Sequence, residues 1–178
     1  SVYNEARFAL SELAIPTTRQ EAWKYTRLGR IVNSEWRFEK NNESVNMSGH
    51  EIEGIGSKLI FVNGYFREDL SQVVEQQGVT VMSMSVAKDE MSDVFNAIYG
   101  QQADHNKEIF TSLNTRFACG GAFIHVAKGV QLEQAIQIAH HVTGEGVASM
   151  PRHIIDVEES AKAEIAITSS GDNKQFIN

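Results

Sequence analysis

Cysteine is almost absent from the sequence, and its scarcity excludes several kinds of site. Cys119 is the single cysteine among 178 residues. The chain can therefore form no internal disulfide framework, and no zinc or iron–sulfur site built from several of its own thiolates. So few thiols suit a reducing compartment, and we expect a cytoplasmic location.

Other missing features narrow the range of functions. No apolar run approaches the roughly 20 residues of a membrane-spanning helix, and no charged-then-apolar leader opens the chain. The formal net charge is −7 with interspersed charges, so the protein as a whole does not attract nucleic acid or an anionic membrane. The sequence also has no Walker motif and no nucleophile elbow. We expect neither a membrane nor a nucleic-acid partner.

The remaining composition is that of an ordinary folded protein. Apolar residues make up 42% of the chain and charged residues 22%, and the length is sufficient for one domain with a real core. The chain opens without methionine and stops just after a strand-like run. We therefore expect a piece of a longer protein.

Residues 1–50 are predicted to form an N-terminal helical domain. Ala6, Leu10 and Leu13 share one face at helical spacing, and Pro16 is expected to end this first helix. A second helix is expected to follow, capped by one of the two threonines that come directly after the proline.

The second predicted helix contains an aromatic hexapeptide, EAWKYT, at residues 21–26. Glu21 follows Thr18 at the spacing of a capping box. Trp23, Lys24 and Tyr25 form either the rim of a binding site or an anchor, with the tryptophan buried and the tyrosine partly covered. The cap and the helical neighbours favour the anchor.

Residues 51–117 are predicted to form a mixed strand and helix connecting region. The run at 59–63 is typical of a buried strand, and residues 79–85 alternate as a strand does. Apolar spacings of three and four predict helices over 88–98 and 109–117, the second of which ends before two consecutive glycines.

Residues 118–178 are predicted to form the first coils of a parallel β-helix. The segment IHVAKGVQL at 124–132 matches IDVEESAKA at 155–163, and both have short apolar runs separated by polar or glycine breaks. A parallel β-helix requires such repeating short strands, because each coil must stack on the next. An open sheet or a sandwich would give the same local pattern.

Four histidines fall within this region, between positions 125 and 153: His125, His140, His141 and His153. Stacked coils could bring some of them together at a metal. However, His125 occupies the outward phase of its strand, as Asp156 does in the second passage, and no carboxylate recurs at ligand spacing. We expect solvated histidines on the outer face and no metal ligand.

The other polar candidates also have plain structural interpretations. Cys119 could be a reactive thiol or an external cluster ligand, but the C-terminal end of a helix does not lower a thiol pKa, which favours a tight junction. Asp156, Glu158 and Glu159 could line a catalytic groove, but they lie at a corner typical of a solvated turn. The glycine pairs at 54/56 and 144/146 lack the rest of the dinucleotide fingerprint. No catalytic constellation emerges from the residues alone.

Three separated segments resemble the SufB/SufD family of iron–sulfur cluster assembly proteins. In chain order they are IPTTRQEAWKYTRLGRI, KLIFVNGYFREDLS and FTSLNTRFACGGAFIHVAKGV, and RHIIDVEESAKAEIAI continues the similarity. The Trp-Lys-Tyr-Thr motif is similar to the SufD branch rather than to SufB. The resemblance covers essentially the whole chain.

The resemblance implies an α+β, mainly β fold in which a helical segment and a mixed region lead into a right-handed parallel β-helix, truncated here. It implies a non-catalytic scaffold subunit that acts with a SufB-like paralogue and a SufC-like ABC ATPase. The histidine implicated in the family lies late in the β-helix, outside these residues. The resemblance therefore implies no catalytic, cofactor-binding or metal residue and no cofactor in this chain.

Two other functions stay open at the level of sequence. A β-helix enzyme that acts on polysaccharide would need a carboxylate-lined groove and is usually exported. A structural self-association module, including a homodimer, would follow if an unpaired coil face templates pairing with a second copy.

Overall fold

Helices and short strands alternate along the computed structural model, which describes residues 1–47, 49, 52–172 and, by backbone alone, 176–177. The helices are α1 (Val2–Glu12), α2 (Gly29–Val32), α3 (Met84–Glu90), α4 (Ser92–Ile98) and α5 (Ile109–Phe117). The strands are β1 (Ile55–Val62), β2 (Tyr65–Phe66), β3 (Val79–Ser83), β4 (Ala122–Val126), β5 (Ala135–Val142), β6 (Val147–Ala148), β7 (Ile154–Val157), β8 (Ile165–Gly171) and β9 (Phe176–Ile177). None of the helices in these described ranges has the length and apolar character needed to cross a bilayer.

The strands form three sheets. The first has the order β2-β1-β5-β8, the second β3-β4-β7, and the third β6-β9. The β1–β5, β5–β8, β4–β7 and β6–β9 pairs are parallel, whereas β1–β2 and β3–β4 are antiparallel. The fold is thus mixed α/β, and none of the sheets closes on itself within the residues that the structure describes.

Three of the four parallel strand pairs, β4–β7, β5–β8 and β6–β9, recur at a nearly constant spacing in the sequence. The same difference in residue number separates Ile124/Ile155, His125/Asp156, Val126/Val157 and the isolated bridges Gly120/Pro151 and Gln131/Lys162. Along β5 and β8 the difference is slightly smaller, as in Ile138 and Ile167. The predicted repeat of 124–132 at 155–163 is confirmed, whereas a complete β-helix stays a prediction.

The main core lies between the first and second sheets. Its buried members are Leu59, Phe61, Ala122, Ile124, Val126, Ile136 and Ile138. They come from every second position of β1, β4 and β5, because neighbouring side chains of a strand point to opposite faces. Burying each large side chain contributes about 1.5–3 kcal/mol of transfer free energy.

Helices cover the other face of the second sheet. Phe123 of β4 and Ile154 of β7 pack there against Phe95 and Tyr99 of the α4 region. The predicted single helix over 88–98 is wrong, because Met91 has a non-helical backbone (φ −120°, ψ 34°) and separates α3 from α4. The apolar spacing does not reveal this break, since the side chains on both sides of it still face one cluster.

The strand predicted over 79–85 ends two residues early. The Ser83 side chain accepts a hydrogen bond from the backbone N–H of Val86 at 3.4 Å, which caps α3 at its first turn. A serine that can cap a helix competes with the strand that precedes it. The alternating pattern is therefore correct only for β3.

The N-terminal region is less helical than predicted. The first helix is confirmed as α1, but the second is wrong as a continuous element. Glu21–Trp23 forms one 3-10 turn, and α2 is a separate single turn. Thr17 accepts from the backbone N–H of Arg19 at 3.4 Å, which is a local turn rather than a helix cap. The domain boundaries at residues 50 and 117 stay predictions.

A buried arginine fixes the segment that follows α2 against the first sheet. Arg67 donates two bonds of 2.7 Å to the Asp69 carboxylate. It also donates to the carbonyl oxygens of Asn41 at 3.3 Å and Glu43 at 2.9 Å. Because a buried guanidinium requires partners for its donors, these contacts hold residues 41–43 in place. Val45 and Met47 then pack on the outer face of β1 and β5.

Candidate functional site

The four histidines do not gather at one point. His140 and His141 lie on β5, and each is only 3% exposed. The prediction of solvated outer-face histidines is therefore wrong for these two. The physical reason is that β5 lies between β1 and β8 in the first sheet and is covered on both faces.

His140, which is buried, forms a pair with His153, which is partly buried. Their Nε2 atoms lie 3.0 Å apart, and the two ring centroids are 5.0 Å apart. Phe61 packs on both rings, with centroid distances of 5.2 Å to His140 and 5.6 Å to His153. The pair thus lies at the edge of the main core, in contact with one of its largest side chains.

The hydrogen bonds assign the tautomers of this pair. The backbone N–H of Ala122 donates to Nδ1 of His153 at 2.9 Å, so the proton of a neutral His153 is on Nε2. This Nε2–H group points to Nε2 of His140, which must therefore accept the hydrogen bond. The proton of a neutral His140 is then on its Nδ1. This Nδ1 is buried and has no hydrogen-bond partner among the described residues.

A neutral pair of this kind resists both protonation and metal binding. Burial lowers the pKa of both histidines to about 4, and for His140 the neighbouring ring adds to the effect. A metal at Nε2 of His153 would require a proton on Nδ1, which already accepts from the backbone. The arrangement therefore joins β4 to the main core through neutral rings.

The other two histidines meet carboxylates that come one repeat later in the chain. Nδ1 of His125 lies 2.9 Å from the Asp156 carboxylate, with Glu158 at 3.9 Å from Nε2. His141 contacts the Ser170 hydroxyl at 2.8 Å through Nδ1 and the Asp172 carboxylate at 3.0 Å through Nε2.

The contact of each of these two histidines with a carboxylate was not anticipated from the sequence. The repeat itself was the signal that could have found the contacts, since the same offset leads from His125 to Asp156 and from His141 to Asp172. In the part of the chain that the structure describes, no three His, Cys, Asp or Glu side chains come together in a group suited to a metal ion. The described contacts instead tie one strand to the next.

Glu158 and Glu159, in the turn after β7, contact the turn after β4. Glu158 accepts from the backbone N–H of Lys128 at 2.7 Å, and Glu159 lies 2.6 Å from the Lys128 ammonium. Both contacts fix the turn after β4 to the turn after β7. They support the interpretation of these carboxylates as parts of a turn rather than as a catalytic groove.

Cys119 lies at a junction where three backbone segments cross. Its backbone N–H donates to the carbonyl of Met150 at 3.2 Å, and a Cβ atom on Gly64 would lie 2.5 Å from its Sγ. Burial raises the pKa of the Cys119 thiol, so the neutral form is favoured. A cavity of about 210 Å³ lies beside it, lined in part by Lys40 and Tyr65. These contacts support the tight-junction interpretation.

The hexapeptide EAWKYT has one anchoring side chain and one exposed side chain. Trp23 packs on Phe110 of α5 with ring centroids 5.5 Å apart. Tyr25 is 89% exposed, and the Lys24 ammonium lies 5.5 Å from its ring centroid. Trp23 is thus an anchor through its contact with Phe110, but it is only partly buried, and the expectation of a covered Tyr25 is wrong.

Trp23→Ala is expected to loosen the N-terminal segment. Loss of the contact with Phe110 should lower the free energy of local opening by about 1–2 kcal/mol, which corresponds to roughly 5- to 30-fold faster proteolysis. Limited proteolysis, with the cleavage sites mapped by mass spectrometry, measures cutting within residues 14–30. Tyr25→Ala is the matched control, since it removes a neighbouring aromatic ring that faces solvent. Equal acceleration by both variants would contradict the anchor.

Comparison with known proteins gives one consistent result. The family model described as the SufBD protein N-terminal region matches residues 1–138. The chain is 25% identical over 164 residues to an iron–sulfur cluster assembly SufBD family protein of Synechocystis sp., covering 88% of the chain and 36% of that protein. It is 26% identical over 163 residues to the iron–sulfur cluster assembly protein SufD of Escherichia coli, with the same two coverages.

A further relative is the iron–sulfur cluster assembly protein SufB of Bacillus subtilis. It is 30% identical over 105 residues, which cover 59% of the chain and 21% of that protein. The chain thus spans about a third or less of the length of these relatives.

Proposed function

The chain belongs to the SufB/SufD family of iron–sulfur cluster assembly proteins, and on that basis we propose that it is the N-terminal and early-core part of a SufD-like subunit. The single observation that carries the proposal is the family match over residues 1–138. In this proposal the subunit is a non-catalytic, cytoplasmic scaffold. It acts with a SufB-like paralogue and a SufC-like ABC ATPase, and no cofactor resides in these residues.

Two observations support the SufD branch over SufB. The alignment with the Escherichia coli SufD protein covers 88% of the chain at 26% identity, whereas that with the Bacillus subtilis SufB protein covers only 59% at 30% identity. The Trp-Lys-Tyr-Thr motif at residues 23–26 also resembles SufD.

The strand pattern supports the further proposal that β4 to β9 are the first coils of a right-handed parallel β-helix. Ile155 and Val157 continue the inward positions of Ile124 and Val126, yet they are 42% and 41% exposed. Ile167 continues Ile138 in the same way and is 56% exposed. Apolar positions that extend a core but face solvent are suited to burial by a further coil.

The contacts of the acidic corner support a scaffold over a polysaccharide-acting enzyme. Asp156 contacts His125, and Glu158 and Glu159 contact Lys128. A glycosidase of the usual kind needs two carboxyl groups that face a common substrate position. Here the carboxylates are held by neighbouring turns.

Copurification tests the assembly role. The full-length gene product, coexpressed with the paralogue and the ATPase encoded in the same genome, should elute with both as one complex. The resemblance implies that the ATPase binds after the β-helix, so residues 1–178 alone should not capture the ATPase. Deletion of residues 1–50 from the full-length product serves as the internal comparison. A full-length product that elutes alone would contradict the proposed function, and light scattering would show whether it elutes as a homodimer.

A further inference from the structure

An open groove lies beside the hexapeptide, between the end of the first helical segment and α2. It has a volume of about 300 Å³ and is lined by residues 15–18, 26–29, 32 and 33. Pro16 and Leu28 form its buried apolar part, while Ile15 and Val32 are exposed at its sides. A groove at the lower limit of ligand-site volumes accommodates one or two apolar side chains rather than a large cofactor.

The stretch of chain that forms this groove is rich in cationic side chains. Residues 15–33 contain Arg19, Lys24, Arg27 and Arg30 against the single carboxylate of Glu21. The four cations are exposed, and none of them has an ion pair among the described residues. Arg27 also lines the groove itself. This local excess of positive charge contrasts with a net charge of −7 for the whole chain.

The combination of charges favours one class of occupant. A long polyanion such as nucleic acid, or an extended anionic membrane, would meet the acidic remainder of the protein as well as these cations. A short acidic segment would meet only the local positive field, which would speed its association and orient it. An apolar side chain of the same segment would fill the groove. Its burial would contribute binding free energy that exposed charges at the rim do not supply.

We propose that this groove docks an acidic segment of a partner protein that carries an aliphatic or aromatic anchor. Arg27 and Arg30 would contact the carboxylates of that segment, and Val32 would contact the anchor. Trp23 holds the groove in place through its contact with Phe110, and the exposed Tyr25 extends the surface beside it. This inference goes beyond the proposed assembly role and does not depend on which proteins copurify.

A peptide titration tests the inference on the full chain. The probe is a fluorescein-labelled synthetic peptide with two central leucines flanked on both sides by glutamates, and its twin carries glutamine at every glutamate position. Fluorescence anisotropy should show saturable binding of the acidic peptide that weakens as salt rises. The glutamine twin should bind at least about tenfold more weakly.

Substitutions locate the binding. Arg27→Glu is expected to lower the affinity for the acidic peptide about tenfold. Val32→Asp should lower the affinity for both peptides, because it places a charge beside the apolar anchor. Lys162→Glu, on the corner between β7 and β8, is the matched charge reversal and should leave the affinity unchanged. All of these positions are exposed, and an unaltered unfolding midpoint for each variant establishes that a loss of binding is local.

Five outcomes would overturn the inference. Absent or unsaturable binding of the acidic peptide would exclude the groove as a docking site for an acidic segment. Equal binding of the glutamine twin would exclude recognition of the peptide's charge. An unchanged affinity for Arg27→Glu places the peptide elsewhere. Displacement of the peptide by a DNA oligonucleotide or by phosphatidylserine vesicles would indicate a general polyanion surface. A dimer that Arg27→Glu dissociates, measured by light scattering, would make a second copy of the chain the occupant.

Discussion

Gly121→Ala is expected to be severely destabilising, with a loss of folding free energy on the order of 3–5 kcal/mol. A Cβ atom at this position would overlap the carbonyl oxygen of Arg152 and would also lie 3.1 Å from Cγ of Met84. The surrounding backbone cannot easily move, because two backbone hydrogen bonds hold it. The N–H of Arg152 donates to the carbonyl of Gly120 at 2.8 Å, and the N–H of Met84 donates to the carbonyl of Gly121 at 2.8 Å. The added methyl group would therefore disrupt the backbone contact at the start of β4 that positions β7 beside it.

Urea unfolding followed by circular dichroism measures this loss. Gly129→Ala is the matched control, since φ at Gly129 is +73° but no heavy atom of the described residues lies within 4 Å of the position that a Cβ would take. That variant should lose only about 1 kcal/mol, the cost of a left-handed backbone without a steric clash. Similar losses in the two variants would show that the close backbone approach at Gly121 is unimportant.

Acid is expected to destabilise the chain through the His140–His153 pair. Burial lowers the pKa of both histidines from 6.5 to about 4 in the folded state. Between these values the unfolded chain binds more protons than the folded chain, so the free energy of unfolding falls as the pH decreases. The stability is fully present above pH 6.5 and is lost toward pH 4, by on the order of 3 kcal/mol for each histidine.

Urea unfolding between pH 7.5 and about pH 4.5 measures this dependence. The double variant His140→Leu/His153→Leu removes both groups and should flatten the slope, whatever its absolute stability. His125→Gln, which changes a histidine outside this pair, is the comparison variant. An unchanged slope in the double variant would place the acid sensitivity in other groups.

Local apolar patterns predicted several elements correctly. The helices α1 and α5 and the strand β3 followed from the spacing of their apolar residues. The strand β1, which is buried on both faces, followed from a continuous apolar run, and the pairing of β4 with β7 followed from the repeat. The three motifs that resembled the SufB/SufD family also proved sufficient to identify it, as the match over residues 1–138 shows.

Features that depend on side-chain competition could not be predicted in the same way. The break at Met91 leaves the apolar spacing intact, and the cap at Ser83 shortens a strand that otherwise alternates correctly. The buried Arg67 contacts carbonyls 24 and 26 residues earlier, a distance that no local pattern reports.

The histidine contacts include one that the sequence could predict and one that it could not. His125 and Asp156 become neighbours through the repeat, so the sequence contained that contact once the repeat was used as a register. The pairing of His140 with His153 spans 13 residues and arises because the chain turns from the first sheet to the second. The tautomer of His153 depends on the backbone N–H of Ala122, which only the three-dimensional arrangement places beside it.

Loading of an iron–sulfur acceptor is the decisive measurement of the proposed scaffold role. The full-length product is purified with the proposed SufB-like paralogue and SufC-like ATPase. Cluster formation on an apo acceptor protein is then followed by absorbance, with a cysteine desulfurase as the sulfur source. A non-catalytic scaffold subunit predicts loading that depends on all three proteins, and none by this chain alone. Equal loading by the paralogue and ATPase without this subunit would contradict that role.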